Sequence, residues 1–197
     1  YVGESIAMKA FDLGVDSCWI TFTDSQKVIH RLNIVTGKEV VGILALGYGK
    51  KKKPVTLGAL KIGDNYSQAD MRKKDGNTST VLPLCQMVYI DKWGEGADVD
   101  KLMERALYDP MDCARKAPST LNRQPWRFLI DGGKIILTMR KDNDISEYEE
   151  RIDAGIAMLY FEDVIEQTLC KVQWKLGPVE NTYGIPDDYV IVASCEA

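Results

Sequence analysis

The sequence contains little of what hydrolytic and metal-dependent enzymes require. His30 is its single histidine, whereas an HExxH motif or a Cys/His zinc cluster needs several ligands. A Ser-His-Asp triad needs a histidine with partners, and nothing near His30 supplies one. Glycine-rich loops of the GxGxxG and Walker types are also missing. These absences exclude the common hydrolase, zinc and nucleotide motifs, and they predict that His30 is structural or exposed to solvent.

Cysteine pairs and long apolar runs are missing as well. The five cysteines are odd in number, widely spaced and without a CxxC pair, so no disulfide framework is indicated. Apolar runs such as Val40–Leu46 are far shorter than the ~20 residues of a membrane span, and the start of the chain does not resemble a signal peptide. We therefore expect a soluble, cytoplasmic protein with no membrane partner.

The composition is that of an ordinary globular protein. The chain has 197 residues, of which 45% are hydrophobic and 27% charged, and its net charge is −4. This length can bury a core of its own, and the charge gives no support to a nucleic-acid partner. We predict one domain over residues 1–197, with a first half at 1–55, a linker segment at 56–98 and a second half at 99–197.

Hydrophobic periodicity predicts the elements of the first half. Apolar residues recur at helical spacing over Glu4–Leu13, and Ser17–Phe22 is a short β-prone run. A second short helix is expected to end at Leu32. The nearly continuous apolar run Val40–Leu46 is typical of a strand that is buried on both faces. Val55–Gly96 shows no sustained period, so we expect a long crossing segment there.

The second half has stronger patterns. A helical period over Asp100–Lys116 is interrupted by Pro110, which should kink or restart the helix. The Asp-Gly-Gly sequence at 131–133 predicts a hairpin between two strands. The predicted elements here are a hairpin of strands Trp126–Ile130 and Lys134–Met139, a long helix Arg151–Leu169, and strands Val172–Leu176 and Asp188–Ser194.

The segment Ala117–Phe128, APSTLNRQPWRF, is the best candidate for a binding site. Pro118 ends a helix, and Ser119, Asn122 and Gln124 present short polar groups before a strand begins. A carboxamide offers a donor and an acceptor, which can match the alternating N–H and C=O groups of a flavin ring edge. Arg115 could supply positive charge to a phosphate or to the ring. Composition alone leaves another interpretation open, in which these residues only cap a helix.

Several motifs resemble the nitroreductase superfamily. The pattern APSxxNxQPWRF is similar to the superfamily segment that contacts FMN. FDLGVDSCWI at 11–20 resembles its helix-to-strand passage LGLGTCWI, and LGYG at 46–49 resembles its strand end LGYP. DAGIA at 153–157 is similar to the DxGIA start of a long helix in one subgroup.

The resemblance implies a fold, a cofactor and an assembly. It implies an α+β, three-layer fold in which helices flank a mixed central β-sheet, usually as a homodimer with FMN near the subunit interface. The residues that it places around the cofactor are Pro118, Ser119, Asn122, Gln124 and Arg115 at the turn, Ser17, Cys18 and Trp19 beside it, and a cation such as Lys50 or Lys53 near the phosphate. The lysine run has the alternative interpretation of a solvated loop.

Some family features are altered or missing. Asp16 and Ser17 replace the usual Gly-Thr, Gly49 replaces the usual proline, and the N-terminal RxSxR phosphate-binding segment has no counterpart. We expect that the sequence lacks an N-terminal portion, since it opens without methionine at the start of a helix. The alternative is a degenerate relative that binds no cofactor.

The resemblance implies an FMN-dependent oxidoreductase. NAD(P)H would be the electron donor, and the acceptor would be a small molecule such as a nitroaromatic, a quinone or a flavin. Because the cofactor carries the electrons, such a site can work without a cluster of acid-base side chains, and none is evident here. The alternative function is a non-catalytic flavin-binding or interaction domain of the same fold.

Overall fold

The computed structural model describes residues 1–22, 24–35, 37–49, 81–180 and 183–197. The first half forms a helix, a strand, a second helix and a second strand. Helix α1 is followed by Gly14 at φ +72°, a left-handed conformation that suits glycine and turns the chain into the strand. The elements are α1 (Val2–Asp12), β1 (Asp16–Ile20), α2 (Ser25–Arg31) and β2 (Ile43–Gly47).

The two strands of the first half form a small antiparallel sheet in which Trp19 lies opposite Leu44. Helix α2 begins where the Asp24 carboxylate accepts a hydrogen bond from the backbone N–H of Lys27, the usual N-cap arrangement. Helix α1 packs on this sheet and also contacts the long helix of the second half. The first half is therefore joined to the rest of the described chain partly through α1.

The second half builds a mixed five-stranded sheet. Its order is β3-β4-β5-β7-β6, with β3 parallel to β4 and the other neighbouring pairs antiparallel. The elements are α3 (Leu84–Met87), β3 (Val88–Ile90), α4 (Val99–Glu104), α5 (Tyr108–Arg115), a 3-10 turn (Thr120–Asn122), β4 (Trp126–Asp131), β5 (Lys134–Arg140), α6 (Glu147–Thr168), β6 (Lys175–Leu176) and β7 (Tyr189–Glu196).

The hairpin predicted from the sequence is confirmed. Asp131 pairs with Lys134 across a two-residue turn, and Gly132 has a φ of +57°, as such turns require. The strands on either side supply buried residues to the main core, including Phe128 and Leu137. The hairpin thus fixes the centre of the sheet, next to the chain segment that lines the candidate site.

Helix α6 covers one face of the sheet and closes the core. Ser146 and Glu149 form a capping box at its start, with the side chain of each bonded to the backbone N–H of the other. Phe161 and Ile165 are fully buried against the sheet and α5. The expected long helix over Arg151–Leu169 is present, and it begins one turn earlier because of this cap.

Three predictions about individual elements need correction. The Val40–Leu46 run is not a strand buried on both faces: β2 spans Ile43–Gly47, it pairs with β1, and the side chain of Leu46 is 52% exposed. The crossing segment contains α3 and the buried strand β3, which is too short to show a period. The strand over Val172–Leu176 is reduced to two residues, because its first part does not pair with β7.

Pro110 acts as the sequence predicts. The helical stretch is divided into α4 and α5, and Pro110 lies in the first turn of α5, where its missing N–H has no partner to lose. None of the helices in the described ranges is long and apolar enough to cross a bilayer. The α+β class with a mixed central sheet flanked by helices is confirmed.

Candidate functional site

A cavity of about 200 Å³ lies between the β1–β2 sheet, the turn after α5 and the first half of α6. Most of its wall is apolar, and the polar side chains come from the turn and from α6. The lining residues that matter below are Trp19, Pro118, Ser119, Thr120, Ile152 and Asp153. The cavity is therefore lined by residues that are far apart in the sequence.

The turn at 117–125 has an unusual backbone. Leu121, Asn122 and Gln124 all have a φ near +50°, a left-handed conformation that costs free energy for residues other than glycine. Hydrogen bonds hold this shape: the backbone N–H of Gln124 donates to Ser119 Oγ at 2.9 Å, and Gln124 Oε1 accepts from the N–H of Leu82 at 2.8 Å. The turn is thus fixed by its own polar side chains and by a remote segment.

Asp153 connects this turn to α6. Its side chain is 1% exposed, and its Oδ1 accepts hydrogen bonds from the backbone N–H of Thr120 at 2.9 Å and from Thr120 Oγ1 at 3.2 Å. Within the described part of the chain, Oδ2 has no hydrogen-bond partner. Burial raises the pKa of Asp153 to about 6, although the bonds from Thr120 and the charge of Arg123 oppose the shift.

Trp19 forms the opposite wall. Its indole N–H donates to Glu4 Oε2 at 2.7 Å, and the hydroxyl of Tyr160 donates to the other oxygen of the same carboxylate at 3.2 Å. A Cβ on Gly3 would lie 2.3 Å from the indole, and one on Gly42 would lie 3.2 Å from it. The ring is therefore held between two glycines and by a buried acid, which fixes this wall of the cavity.

The comparison with known proteins identifies the family at this point. A family model described as "Putative TM nitroreductase" matches residues 1–164. The chain belongs to this nitroreductase family. A solved structure described as a "putative nitroreductase" from Thermotoga maritima MSB8 has a similar fold, with a TM-score of 0.54 and 16% identity. The match covers 98% of this chain but 61% of that one, and no curated protein matches the chain.

The resemblance to nitroreductases is therefore confirmed, and the structure can be compared with the predicted site of this family. Trp19, Pro118 and Ser119 come together in the lining of the cavity. Asn122 and Gln124 lie in the same turn but are absent from the lining. The Gln124 side chain is buried and donates its amide N–H to the carbonyl and side-chain oxygens of Asn122 at 3.4 and 3.3 Å.

The other predicted site residues that the structure describes lie outside the cavity lining. Ser17 and Cys18 are exposed on β1. Arg115 is partly buried; it bonds to Asp112, at 2.6 Å for its closest nitrogen, and to the carbonyl of Leu82 at 3.1 Å. Lys50 and Lys53 lie outside the described residues. Of the eight predicted site residues that the structure describes, three thus line this cavity.

Asp153 lines the cavity but was not among the predicted site residues, whereas Thr120, which it contacts, belongs to the predicted segment. The DAGIA motif at 153–157 marks Asp153 in the sequence, but it was used there only as the start of a helix. Its role depends on a contact with Thr120, 33 residues earlier in the chain. An acidic residue set among small and apolar residues of a predicted helix, as in DAGIA, is the sequence signal that marks it, although the motif does not show the contact with Thr120.

Proposed function

We propose that this chain is part of an FMN-dependent oxidoreductase that uses NAD(P)H to reduce a small acceptor such as a nitroaromatic or a quinone. Family membership supports the reaction class, and the cavity beside the Pro118–Thr120 turn supports the location of the cofactor. When bound, FMN would supply the capacity to take a hydride from NAD(P)H and pass electrons to the acceptor. The residues around it would bind and orient the cofactor and the substrates.

The residues that line the cavity suit the ring of a flavin. Trp19, Ile152 and Ile156 provide apolar surface for a planar ring, and Ser119 and Asp153 provide polar groups at one side. Ligand pockets of this kind combine apolar walls with a few polar groups that fix orientation. The unpartnered oxygen of Asp153, buried in this lining, is the observation that carries the proposal.

The size of the cavity limits how much of the cofactor it encloses. About 200 Å³ is less than the roughly 300–1,000 Å³ of typical ligand pockets, so the described residues would surround only part of FMN. No lysine or arginine lines it among those residues. We propose that Lys50 or Lys53 approaches the phosphate and that a second subunit of a homodimer closes the remaining side.

The residues of this chain would bind and orient, and they would exclude water. The fixed indole of Trp19 would limit the ring to one plane, and Ser119, whose oxygen already accepts from Gln124, has a hydroxyl proton to donate. Such fixed groups lower the entropic cost of bringing donor and acceptor together. Asn122 and Gln124 would then act by holding the turn, since their amides bond to each other.

Reconstitution with FMN tests this proposal. The purified protein, or the longer protein that contains it, should bind added FMN and show a flavin absorption band near ~450 nm, and anaerobic NADH or NADPH should bleach that band. Ser119→Ala should weaken binding, and Thr168→Ala, which removes an exposed hydroxyl at the end of α6 outside the cavity lining, serves as its control. A protein that takes up no FMN would contradict the proposal.

The non-catalytic alternative makes a different prediction in the same experiment. A flavin-binding domain without turnover would be yellow but would not be bleached by NADH or NADPH. The altered junction at Asp16 and Ser17, which stand where the family usually has Gly-Thr, is the feature that favours it. Bleaching by either nucleotide would exclude this alternative.

A further inference from the structure

The two oxygens of the Asp153 carboxyl group differ in their hydrogen bonding. Thr120 occupies Oδ1 with two hydrogen bonds, and Oδ2 is buried without a partner within the described ranges. A buried acceptor without a partner is costly, so native proteins seldom keep one unless a ligand, an ion or water satisfies it. Asp153 also lines the cavity, so its carboxyl group borders the space that a ligand would occupy, although Oδ2 itself has almost no exposed surface.

Two neighbouring polar side chains of the cavity already have hydrogen-bond partners in the protein. Glu149 accepts from the N–H and the hydroxyl of Ser146 at 3.0 and 2.8 Å. The hydroxyl of Tyr148 donates to Glu39 at 2.7 Å. Each of these groups has a protein partner that holds it in place. Of the two acidic side chains that line the cavity, Glu149 and Asp153, Asp153 is the one with a buried oxygen that lacks a hydrogen-bond partner in the described residues.

The charges around Asp153 are few. Glu149 on the same helix and Arg123 in the turn are the charged groups whose fields affect its pKa. Arg123 is bonded to Asp142 through one terminal nitrogen, while its Nε and other terminal nitrogen lack partners in the described part of the chain. The guanidinium is near enough to favour the ionised carboxylate without forming a direct hydrogen bond to it.

We propose that Asp153 is a ligand-recognition residue, whose Oδ2 accepts a hydrogen bond from an N–H or O–H group of the bound flavin. This inference rests on the proposed function, because it takes the cavity to be the flavin site. A flavin has two such donors, the imide N–H of the ring and the hydroxyls of the ribityl chain. The carboxylate would select for a donor and against an acceptor at this position.

Ionisation of Asp153 should then control binding. Only the carboxylate is a pure acceptor, so affinity should be greatest above pH 7 and should fall as pH decreases through about 6. At pH 5, about one tenth of a group with this pKa is ionised, so the affinity should fall by about tenfold. A protonated carboxyl acting as donor would give the opposite dependence.

Riboflavin is the appropriate probe, because it lacks the phosphate of FMN, whose own ionisation falls in the same pH range. Its dissociation constant would be measured by quenching of flavin fluorescence at pH 5 and pH 7.5. Asp153→Asn keeps the shape of the side chain and an oxygen that can accept from Thr120. At the position of Oδ2, however, it places a neutral NH2 group, which donates hydrogen bonds and does not accept them. We expect riboflavin to bind about 10- to 100-fold more weakly to it at pH 7.5, with no fall at pH 5.

Asp163→Asn is the matched control. Asp163 lies on the same helix outside the cavity lining, and burial raises its pKa as well. The control should bind riboflavin like the wild type at both pH values. Lumiflavin, which lacks the ribityl hydroxyls, distinguishes the two donors: a loss seen with both flavins assigns the imide N–H, and a loss seen with riboflavin alone assigns a hydroxyl.

The two proposals fail in different ways. Wild-type protein that binds neither FMN nor riboflavin would overturn the proposed function. Wild-type protein that binds riboflavin, together with an Asp153→Asn variant of equal affinity and a correctly folded circular dichroism spectrum, would overturn the role of Asp153 alone. That second result would mean that Oδ2 makes no hydrogen bond to the flavin. Stronger binding at pH 5 would also overturn it.

Discussion

Asp153→Asn should make the ligand-free protein more stable at neutral pH. The wild-type protein must bury a carboxylate there with one oxygen unpartnered among the described residues, whereas asparagine is neutral at every pH. The substitution retains an oxygen that can accept from Thr120, so the link between the turn and α6 is kept. The two proteins should therefore differ mainly in the cost of the negative charge.

The magnitude follows from the pKa. The difference between about 6 in the folded state and the ordinary value of 3.8 corresponds to about 3 kcal/mol at 1.36 kcal/mol for each pH unit. The folded state binds this proton more tightly than the unfolded chain does. The free energy of unfolding of the wild type consequently falls as pH rises from about 4 to about 6. Below pH 4 both states are protonated, and the penalty disappears.

Thermal unfolding of wild type and variant, measured by circular dichroism at several pH values, tests this reasoning. For a protein of this size, about 3 kcal/mol corresponds to an increase in Tm of about 6–12 °C for the variant at pH 7.5, shrinking towards zero near pH 4. Comparing the two proteins at each pH cancels the other titrating groups, such as Asp112 and Asp142, whose lowered pKa values act in the opposite direction. A difference in Tm that does not change with pH would refute the argument.

Three further predictions concern the groups that fix the cavity. Gln124→Ala should lower the free energy of unfolding by about 1–3 kcal/mol, because the Leu82 N–H loses its acceptor, whereas Gln124→Glu keeps that acceptor and should cost less in the same thermal unfolding experiment. Glu4→Ala should shift tryptophan fluorescence and destabilise by about 1–3 kcal/mol, because the indole N–H of Trp19 loses its partner; the exposed Lys9→Ala on the same helix should do neither. Gly42→Val should reduce riboflavin affinity by crowding Trp19, whereas Gly37→Val, which has open space at its Cβ position, should leave that affinity unchanged. Equal effects within any of these pairs would contradict the role assigned to its first member.

Local sequence patterns were sufficient for the elements that depend on local chemistry. The Asp-Gly-Gly turn, the division at Pro110 and the long helix α6 were predicted because turn conformation, a missing N–H and an apolar helical face are properties of neighbouring residues. The APS segment was located correctly as a turn for the same reason. Its resemblance to the family segment then indicated the class of protein.

Features that depend on distant residues could not be predicted in this way. An apolar run such as Val40–Leu46 does not reveal whether a second layer covers it, and in the structure β2 pairs with β1 and leaves Leu46 exposed. Gln124 has the chemistry to bind a flavin edge, but Leu82, which lies in the unpatterned segment, uses its oxygen. Asp153 was missed because its environment is created by Thr120 and burial, and neither is visible from its neighbours.

The location of the cavity determines which local opening motion a bound ligand would oppose. One wall belongs to the small β1–β2 sheet, and the other belongs to α6 and the turn attached to the large sheet. A molecule bound across this seam would contact both and would oppose their separation. Local opening of the small sheet should then become rarer, so its backbone amides should exchange hydrogen more slowly with deuterated solvent. Occupancy of the site could thus be followed at β1, whose residues Trp19 and Ile20 line the cavity.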